Sequence, residues 1–391
     1  MRRLFAFGFL GMFLWFLSST ADAQKIETVN GVRVVHNVKG GQWGKNPQVS
    51  IKLFQTIGDL NTEDENLAFN SPSDIAMDPA GNIYILDAGN QRIQKFSPEG
   101  KYLATIGRRG QGPGEFNYPR SLDIDPKGNL YVLDSIIKKV KILTAEGAEQ
   151  KTILILKDSL TKTRFLKSGL FAAGVLIGLG SRTQDDKMDS KLIKIIDQSG
   201  NAQKEFGNIV DYGDRMSTYY GNIVSFDTDK NDNIYLSFMH QNRVEKYSPE
   251  GQLLWKADRT LNYGTDMIEK GRMEGGNISP PKMNIVSAGI TADEKGRAWV
   301  VTLNRQIKKE EQVITSMLVT SGGVAKTEIK GNRDLQTTDM YKLEIYSPEG
   351  ILLGEIPLNQ FVSYIRIIKD NLFLIDSDHG AKIYQYKIVE K

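Results

Sequence analysis

From Pro72 onward the chain alternates apolar and polar positions in short runs: PSDIAMD, IYILD, RIQKF and KYLATIG. A period of two over such runs predicts half-buried β-strands. The separators PAGN, AGNQ and SPEG are turns, in which Pro presets φ and Gly or Asn tolerates positive φ. Four short antiparallel strands in so compact a segment predict one blade of a β-propeller.

The unit recurs along the chain, and an internal period decides the fold. A second blade reads SLDIDPKGNLYVLD, KVKIL, TAEG; a third, the most degraded, reads GVLIGLG, KLIKIID, QSG, AQKEFG. The fourth reads VSFDTDKNDNIYLS, RVEKYSPEG, QLLWKA, and the fifth GITADEKGRAWVV, KLEIYSPEG, ILLGEI. The sixth, YIRIIKDNLFLIDSD and KIYQYKIVEK, stops one strand short. VSIKLFQTIG (Val49–Gly58) matches KYLATIG (Lys101–Gly107), so the N-terminal strand is expected to complete the last blade and close the ring. The fold class is therefore all-β, a six-bladed β-propeller of four-stranded antiparallel blades over residues 49–391, preceded by an N-terminal extension, 24–48.

Connection lengths separate the two ends of the ring. The turns DPAGN, DPKGN, DKNDN, DEKGR and SPEG lie on one face and are short. The other face carries the long connections 58–72, 107–119, 207–222, 258–284 and 302–341. Long loops on a rigid scaffold mark a binding face. The insertion at 305–340 reads as an extra hairpin extending blade five. Phe116, Tyr118, Tyr212, Tyr219, Tyr220 and Tyr263 on this face are candidates for stacking on a glycan or peptide.

Charge and composition narrow the partners. Lys plus Arg number 50 against 47 Asp plus Glu, which gives no reason to expect nucleic acid or a membrane surface. The 391 residues hold no cysteine, which excludes disulfides, a thiolate nucleophile and thiolate metal ligands. Residues 1–23 carry Arg2 and Arg3, an apolar run Leu4–Leu17 and the small-residue site Ala21-Asp22-Ala23. These are the parts of a cleaved signal peptide, and the apolar run is short for a membrane span. The expectation is an exported monomer, periplasmic or secreted, beginning at Gln24.

The pattern D-P-x-G-N-I/L-Y-V/I-x-D, then x-x-N-x-R-I-x-x-F, then GQGPGEF before the next blade resembles the NHL-repeat six-bladed propellers. It is most similar to their exported bacterial group, which has a leading segment like VNGVRVVHN (Val29–Asn37 here). The resemblance implies a fold and a binding scaffold, not one activity.

Candidate residues come from the connections between second and third strands, expected at the mouth of the central channel. They are Asp87, Asn90 and Arg92 in blade one, Asp134 and Lys139 in blade two, His240 and Arg243 in blade four, and Asp376, His379 and Lys382 in blade six. The pairs Asp87–Arg92, Asp134–Lys139 and Asp376–Lys382 recur and are expected to pin hairpins. His240 and His379 hold the same place in their blades as Asn90. Among six-bladed relatives, amidating lyases bind zinc through histidines on alternating blades, and a catalytic zinc takes three protein ligands. Blade two offers Ile137 where the third belongs, and His36 lies in the N-terminal segment. The loop with Asp59, Glu63, Asp64 and Glu65 lacks a calcium-loop spacing, although Glu115, Asp87 and Asn90 can be cast as the divalent-ion ligands of a lactonase. GQGPGEF lacks the Lys-Ser/Thr and helix of a phosphate loop. The sequence thus favours a module that binds a peptide, protein or glycan on the long-loop face, with no cofactor. The alternative is a calcium- or zinc-dependent propeller enzyme, lactonase-like or amidating-lyase-like. No catalytic residue is assigned.

Overall fold

The computed structural model describes residues 24–155, 159–175, 190–274, 277–320 and 323–391. The signal-peptide expectation falls on residues 1–23 and lies outside the described residues.

Six antiparallel sheets stand in a ring, the first strand of each innermost and packed toward the next blade. Blade one is Pro72–Met77, Ile83–Asp87, Arg92–Phe96 and Tyr102–Ile106. Blade two runs from Pro119–Ile124 to Glu149–Leu154, and blade three from Leu160–Phe165 to Ala202–Asn208. The first and last strands are Val224–Thr228 and Leu253–Arg259 in blade four, and Ser287–Ala292 and Leu352–Pro357 in blade five. In blade six, Val49–Ile57 lies antiparallel to Lys382–Glu390 as the fourth strand. The second strands IYILD, LYVLD, IYLSF, AWVVTL and NLFLID are buried along their whole length. A strand covered on both faces reads as an unbroken apolar run. The core accordingly lies between blades: Ile83 and Ile85 pack with Phe373 and Ile375, and Tyr84 and Leu86 with Leu122 and Val132.

The repeated motif is one hydrogen-bonded unit. Asp78 accepts from the backbone N–H of Asn82 at 2.9 Å, from its side-chain amide at 2.7 Å, and from the Tyr84 hydroxyl at 3.2 Å. Asp125 with Asn129 and Tyr131, and Asp229 with Asn233 and Tyr235, repeat the arrangement. Blade five substitutes Arg297 and Trp299, which donate to Asp293 at 2.6 and 2.9 Å. The glycine closing each SPEG-like turn sits at φ between +77° (Gly100) and +93° (Gly147), where a side chain is strained.

The N-terminal extension is a strap. Its hairpin, Lys25–Val29 with Val32–Asn37, adds to blade four through a parallel pairing with Leu253–Arg259. The chain then crosses blade five, where the N–H groups of Gln42 and Trp43 reach Leu352 O at 3.0 Å and Leu353 O at 2.7 Å, before entering blade six. Buried Asn37 ties the first two segments: its amide donates to Asp258 O and Gly350 O, both at 3.1 Å, and its oxygen accepts from Leu352 N at 2.7 Å. Asn37→Ala strands these groups, and an expected loss of about 1–3 kcal/mol is readable in the urea midpoint.

Three features differ from the sequence reading. The 305–340 hairpin does not extend blade five. Val313–Thr320 and Gly323–Gly331 pair as a sheet of their own, while Ala298–Leu303 pairs directly with Tyr341–Tyr346. The 207–222 connection contains an α-helix, Arg215–Gly221, capped by Asp214 accepting from Ser217 N at 2.8 Å. The 258–284 connection contains a small hairpin, Arg272–Glu274 with Asn277–Ser279. Among the described residues no helix is long and apolar enough to cross a membrane.

Candidate functional site

The first strands of the blades occupy the axis, and the second-to-third connections join strands further out. Asp87 is fully buried and accepts from Asn70 N, Asn90 Nδ2 and Arg92 Nε, each at 2.8 Å. Asp134 accepts from Asn117 N at 2.6 Å and Tyr118 N at 2.8 Å. Asp376 accepts from His379 N at 2.9 Å and Gly380 N at 2.6 Å, while Lys382 turns away to Gln336 at 2.9 Å. Burial pushes all three carboxyls up in pKa. The expected Asp–cation pair therefore forms in blade one alone. Elsewhere Lys139 and Lys382 stand beside the aspartate in the ladder, and loop N–H groups take its oxygens. In blades one and two those N–H groups belong to the crossing that arrives from the previous blade, so the aspartates fasten neighbouring blades together.

The two histidines have separate surroundings. His379 stacks on Phe361, ring centroids 3.5 Å apart, and its Nε2 faces Glu311 O at 3.0 Å, which ties the blade-five insertion to blade six. His240 places Nδ1 3.0 Å from Asn284 O. Among the described residues no three His, Asp or Glu side chains converge to hold a metal. Glu115 accepts from Arg108 Nε at 2.9 Å and Gly112 N at 3.0 Å, and so shapes the GQGPG crossing. Phe116, expected on the surface, is fully buried beneath Gly107. Tyr118, Tyr212, Tyr219, Tyr220 and Tyr263 are half-buried.

The axis holds the chemistry that sequence reading missed. By ladder register, Ala76, Asp123, Arg164, Asp227, Thr291 and Arg366 form one level across the six first strands. One step toward the long loops, Asp74, Ser121, Lys162, Ser225, Gly289 and Tyr364 form a second. Arg164 grips both oxygens of Asp74, at 2.9 and 3.0 Å, and reaches Asp227 at 3.0 Å. Arg366 binds Asp123 at 2.6 Å, and Thr291 donates to Asp227 at 2.7 Å. The Tyr364 hydroxyl touches both Lys162 and Arg164. Burial alone would raise Asp74 and Asp227, but Arg164, Arg366 and Lys162 together outweigh it and hold both carboxyls below the usual range. The axis is thus riveted by its own ion pairs. Blades two and four share Ser and Asp at these levels (Ser121 and Asp123, Ser225 and Asp227) and blades three and six share Arg (Arg164, Arg366), but no residue type recurs in all six blades. The available signal was an arginine within the first strands of blades three and six, Arg164 and Arg366.

A cleft of about 670 Å³ opens on blade four, between the N-terminal hairpin and the 207–222 and 258–284 connections. It is lined by His240 and Arg243 together with His36, Asp258, Glu27 and Tyr212. His36 bridges Asp258 at 2.8 Å and Glu27 at 3.4 Å. A carbonyl only accepts, so His240 carries its proton on Nδ1 toward Asn284 and keeps Nε2 as a bare acceptor. Burial lowers its pKa, which keeps the ring neutral. Arg243 lies flat on Phe238, 3.7 Å from the ring centre, and donates to Asn208 O at 3.1 Å. The His240 acceptor, the cations Arg243 and Lys256 and the carboxylates of Glu27, Asp258 and Asp266 beside Tyr212 suit a hydroxyl- or amide-rich ligand.

Residues 51–160 match a family model, DUF5128, described as a 6-bladed beta-propeller. No curated protein sequence matches the chain. Among solved structures, a member of the DUF4221 family from Bacteroides vulgatus is 11% identical, with TM-score 0.57 over 88% of this chain and 99% of that one. A Bacteroides fragilis protein described as exported is 12% identical, with TM-score 0.56 over 92% of this chain and 99% of that one. What this chain shares with these proteins is the fold, a six-bladed β-propeller.

Proposed function

We propose that the chain is an exported, NHL-type propeller that binds a peptide, protein or glycan on its long-loop face, with the blade-four cleft as the seat. The observation that carries the reading is the origin of the cleft's walls. They come from the N-terminal hairpin (Glu27, Val29, Val34 and His36) and two long connections (Tyr212, Thr265, Asp266 and Met267), parts of the chain that do not repeat, set against the second-to-third connection and the last strand of blade four. A divalent-metal enzyme centred on the axis is the weaker reading, because Arg164 occupies the carboxylates of Asp74 and Asp227 there.

The test is a screen of peptide and oligosaccharide arrays followed by calorimetry on the hits. His240→Asn is expected to weaken the best hit about tenfold, the worth of one good hydrogen bond, with the melting temperature unchanged. Hits that bind this variant as tightly as the parent overturn the reading. Protonation removes the Nε2 acceptor, and the His240 pKa lies below the ordinary value of 6.5. Affinity is therefore flat from neutral pH down to that value and falls in more acidic buffer.

A further inference from the structure

We infer that the axial mouth on the long-loop face is a second, separate binding site, which takes a carboxylate group between Arg120 and Lys162. The first strands carry a recurrent irregularity there. Each of blades one, two, three and five has a β-bulge at the same register, between Pro72 and Asp74, Pro119 and Ser121, Leu160 and Lys162, and Ser287 and Gly289. A bulge re-aims a side chain out of the ladder. The extra residues are Ser73, Arg120, Thr161 and Ala288, and each is more exposed than the residue before it in an otherwise buried stretch. Ser73 Oγ lies 3.5 Å from Arg120 O, so neighbouring blades contribute to one rim.

The floor of the mouth pairs its acids with Arg164 and Arg366 and holds one further cation, Lys162. Lys162 reaches across the axis from blade three to the Tyr364 hydroxyl of blade six, and donates to Phe226 O of blade four at 2.8 Å. An ammonium has three donors, and no described carboxylate pairs with this one. Arg120 is the bulge residue next to Ser121, which stands level with Lys162 on the adjacent strand and accepts from Thr163 N at 3.0 Å. Its guanidinium lies 5.5 Å from the Tyr118 ring and has no carboxylate partner. A planar fork and a point charge carried by adjacent first strands match a carboxylate better than a neutral group. The charged groups around Lys162 are Arg164 on its own strand, Asp74 of blade one, Asp227 of blade four, and Arg366 of blade six, beside the Tyr364 phenol. Burial, reinforced by Arg164 and Arg366 and opposed by Asp227 and Asp74, brings its pKa down to about 7.

The carboxylate can belong to an acidic sugar or to a peptide C-terminus, and calorimetry with glucuronate and with N-acetyl-dialanine separates the two sources. One of these is expected to bind more tightly than its neutral counterpart, glucose or N-acetyl-dialanine amide. Binding tightens severalfold from pH 8 to pH 6, as Lys162 gains its proton while the ligand stays ionised. Arg120→Gln, at an exposed position that leaves the fold intact, weakens binding roughly 10- to 100-fold, and His240→Asn leaves it unchanged. The inference is overturned if neither carboxylate outbinds its neutral analogue, if Arg120→Gln binds as well as the parent, or if His240→Asn abolishes the signal. The last result would place the ligand in the blade-four cleft instead.

Discussion

Arg164→Leu is expected to destabilise the folded chain by about 3–5 kcal/mol, the usual cost of leaving buried charge without its partner. The guanidinium and both its carboxylate partners are almost wholly inaccessible, with side-chain exposures of 1%, 1% and 5% for Arg164, Asp74 and Asp227. The leucine removes the cation and leaves two carboxylates facing each other across the axis. Urea unfolding followed by tryptophan fluorescence measures the loss, and a midpoint shift worth under about 1 kcal/mol would show that water reaches the axis. The pH dependence has a definite sign. In the folded parent both carboxyls sit below their ordinary pKa, so their stabilising contribution is full above about pH 4 and is lost as pH falls through the folded values. In the variant those pKa values rise. The two proteins therefore differ most at neutral pH and converge as the medium is acidified.

A chain beginning at Gly58 is expected not to fold as a monomer. It lacks Val49 and Ile57, which are 0% and 3% exposed, and the whole ladder against Lys382–Glu390. Two aliphatic side chains at about 1.5–3 kcal/mol each, with a row of hydrogen bonds at about 0.5–1.5 kcal/mol each, amount to much of an ordinary domain's stability of about 5–15 kcal/mol. Ile57 also packs among Phe69, Ile75 and Ile83, so the break reaches the seam between blades six and one. The exposed edge of Lys382–Glu390 then invites association. Size-exclusion chromatography and circular dichroism distinguish the outcomes, and a monomeric, cooperatively melting product would refute the expectation. A chain beginning at Gln48 loses only the contacts to blades four and five, and is expected to fold with a lower melting temperature.

What the sequence makes legible follows from repetition. The DPxGN-Tyr unit is readable because each of its residues bonds another within the same hairpin. The second strands are readable because burial on both faces demands an unbroken apolar run. Asp134 with Lys139 and Asp376 with Lys382, expected as charge pairs that pin hairpins, stand opposite each other in the ladder, but the aspartate oxygens go to short-range N–H donors of the loops, which outcompete a long, flexible lysine. Two things have no local signature. The strap's parallel seat on blade four depends on which outer edges the finished ring presents. The axial network depends on residues of six different strands meeting at one level. The cleft that joins His240 and Arg243 to His36 was illegible for the first reason: one wall of it is the strap.

The strap also orders events in time. Gln55 meets Gln385, its partner 330 residues away, and Asn37 meets Gly350 across 313. Residues 25–57 leave the ribosome early, yet every edge they dress belongs to the last half of the ring. Contacts of such separation are slow to form, because the loop they close must be ordered first. The ring thus has an intrinsic delay, and its opening segment stays unclaimed until blades four, five and six have been made. A nascent chain of this design cannot close its ring until the strand Lys382–Glu390 has been made.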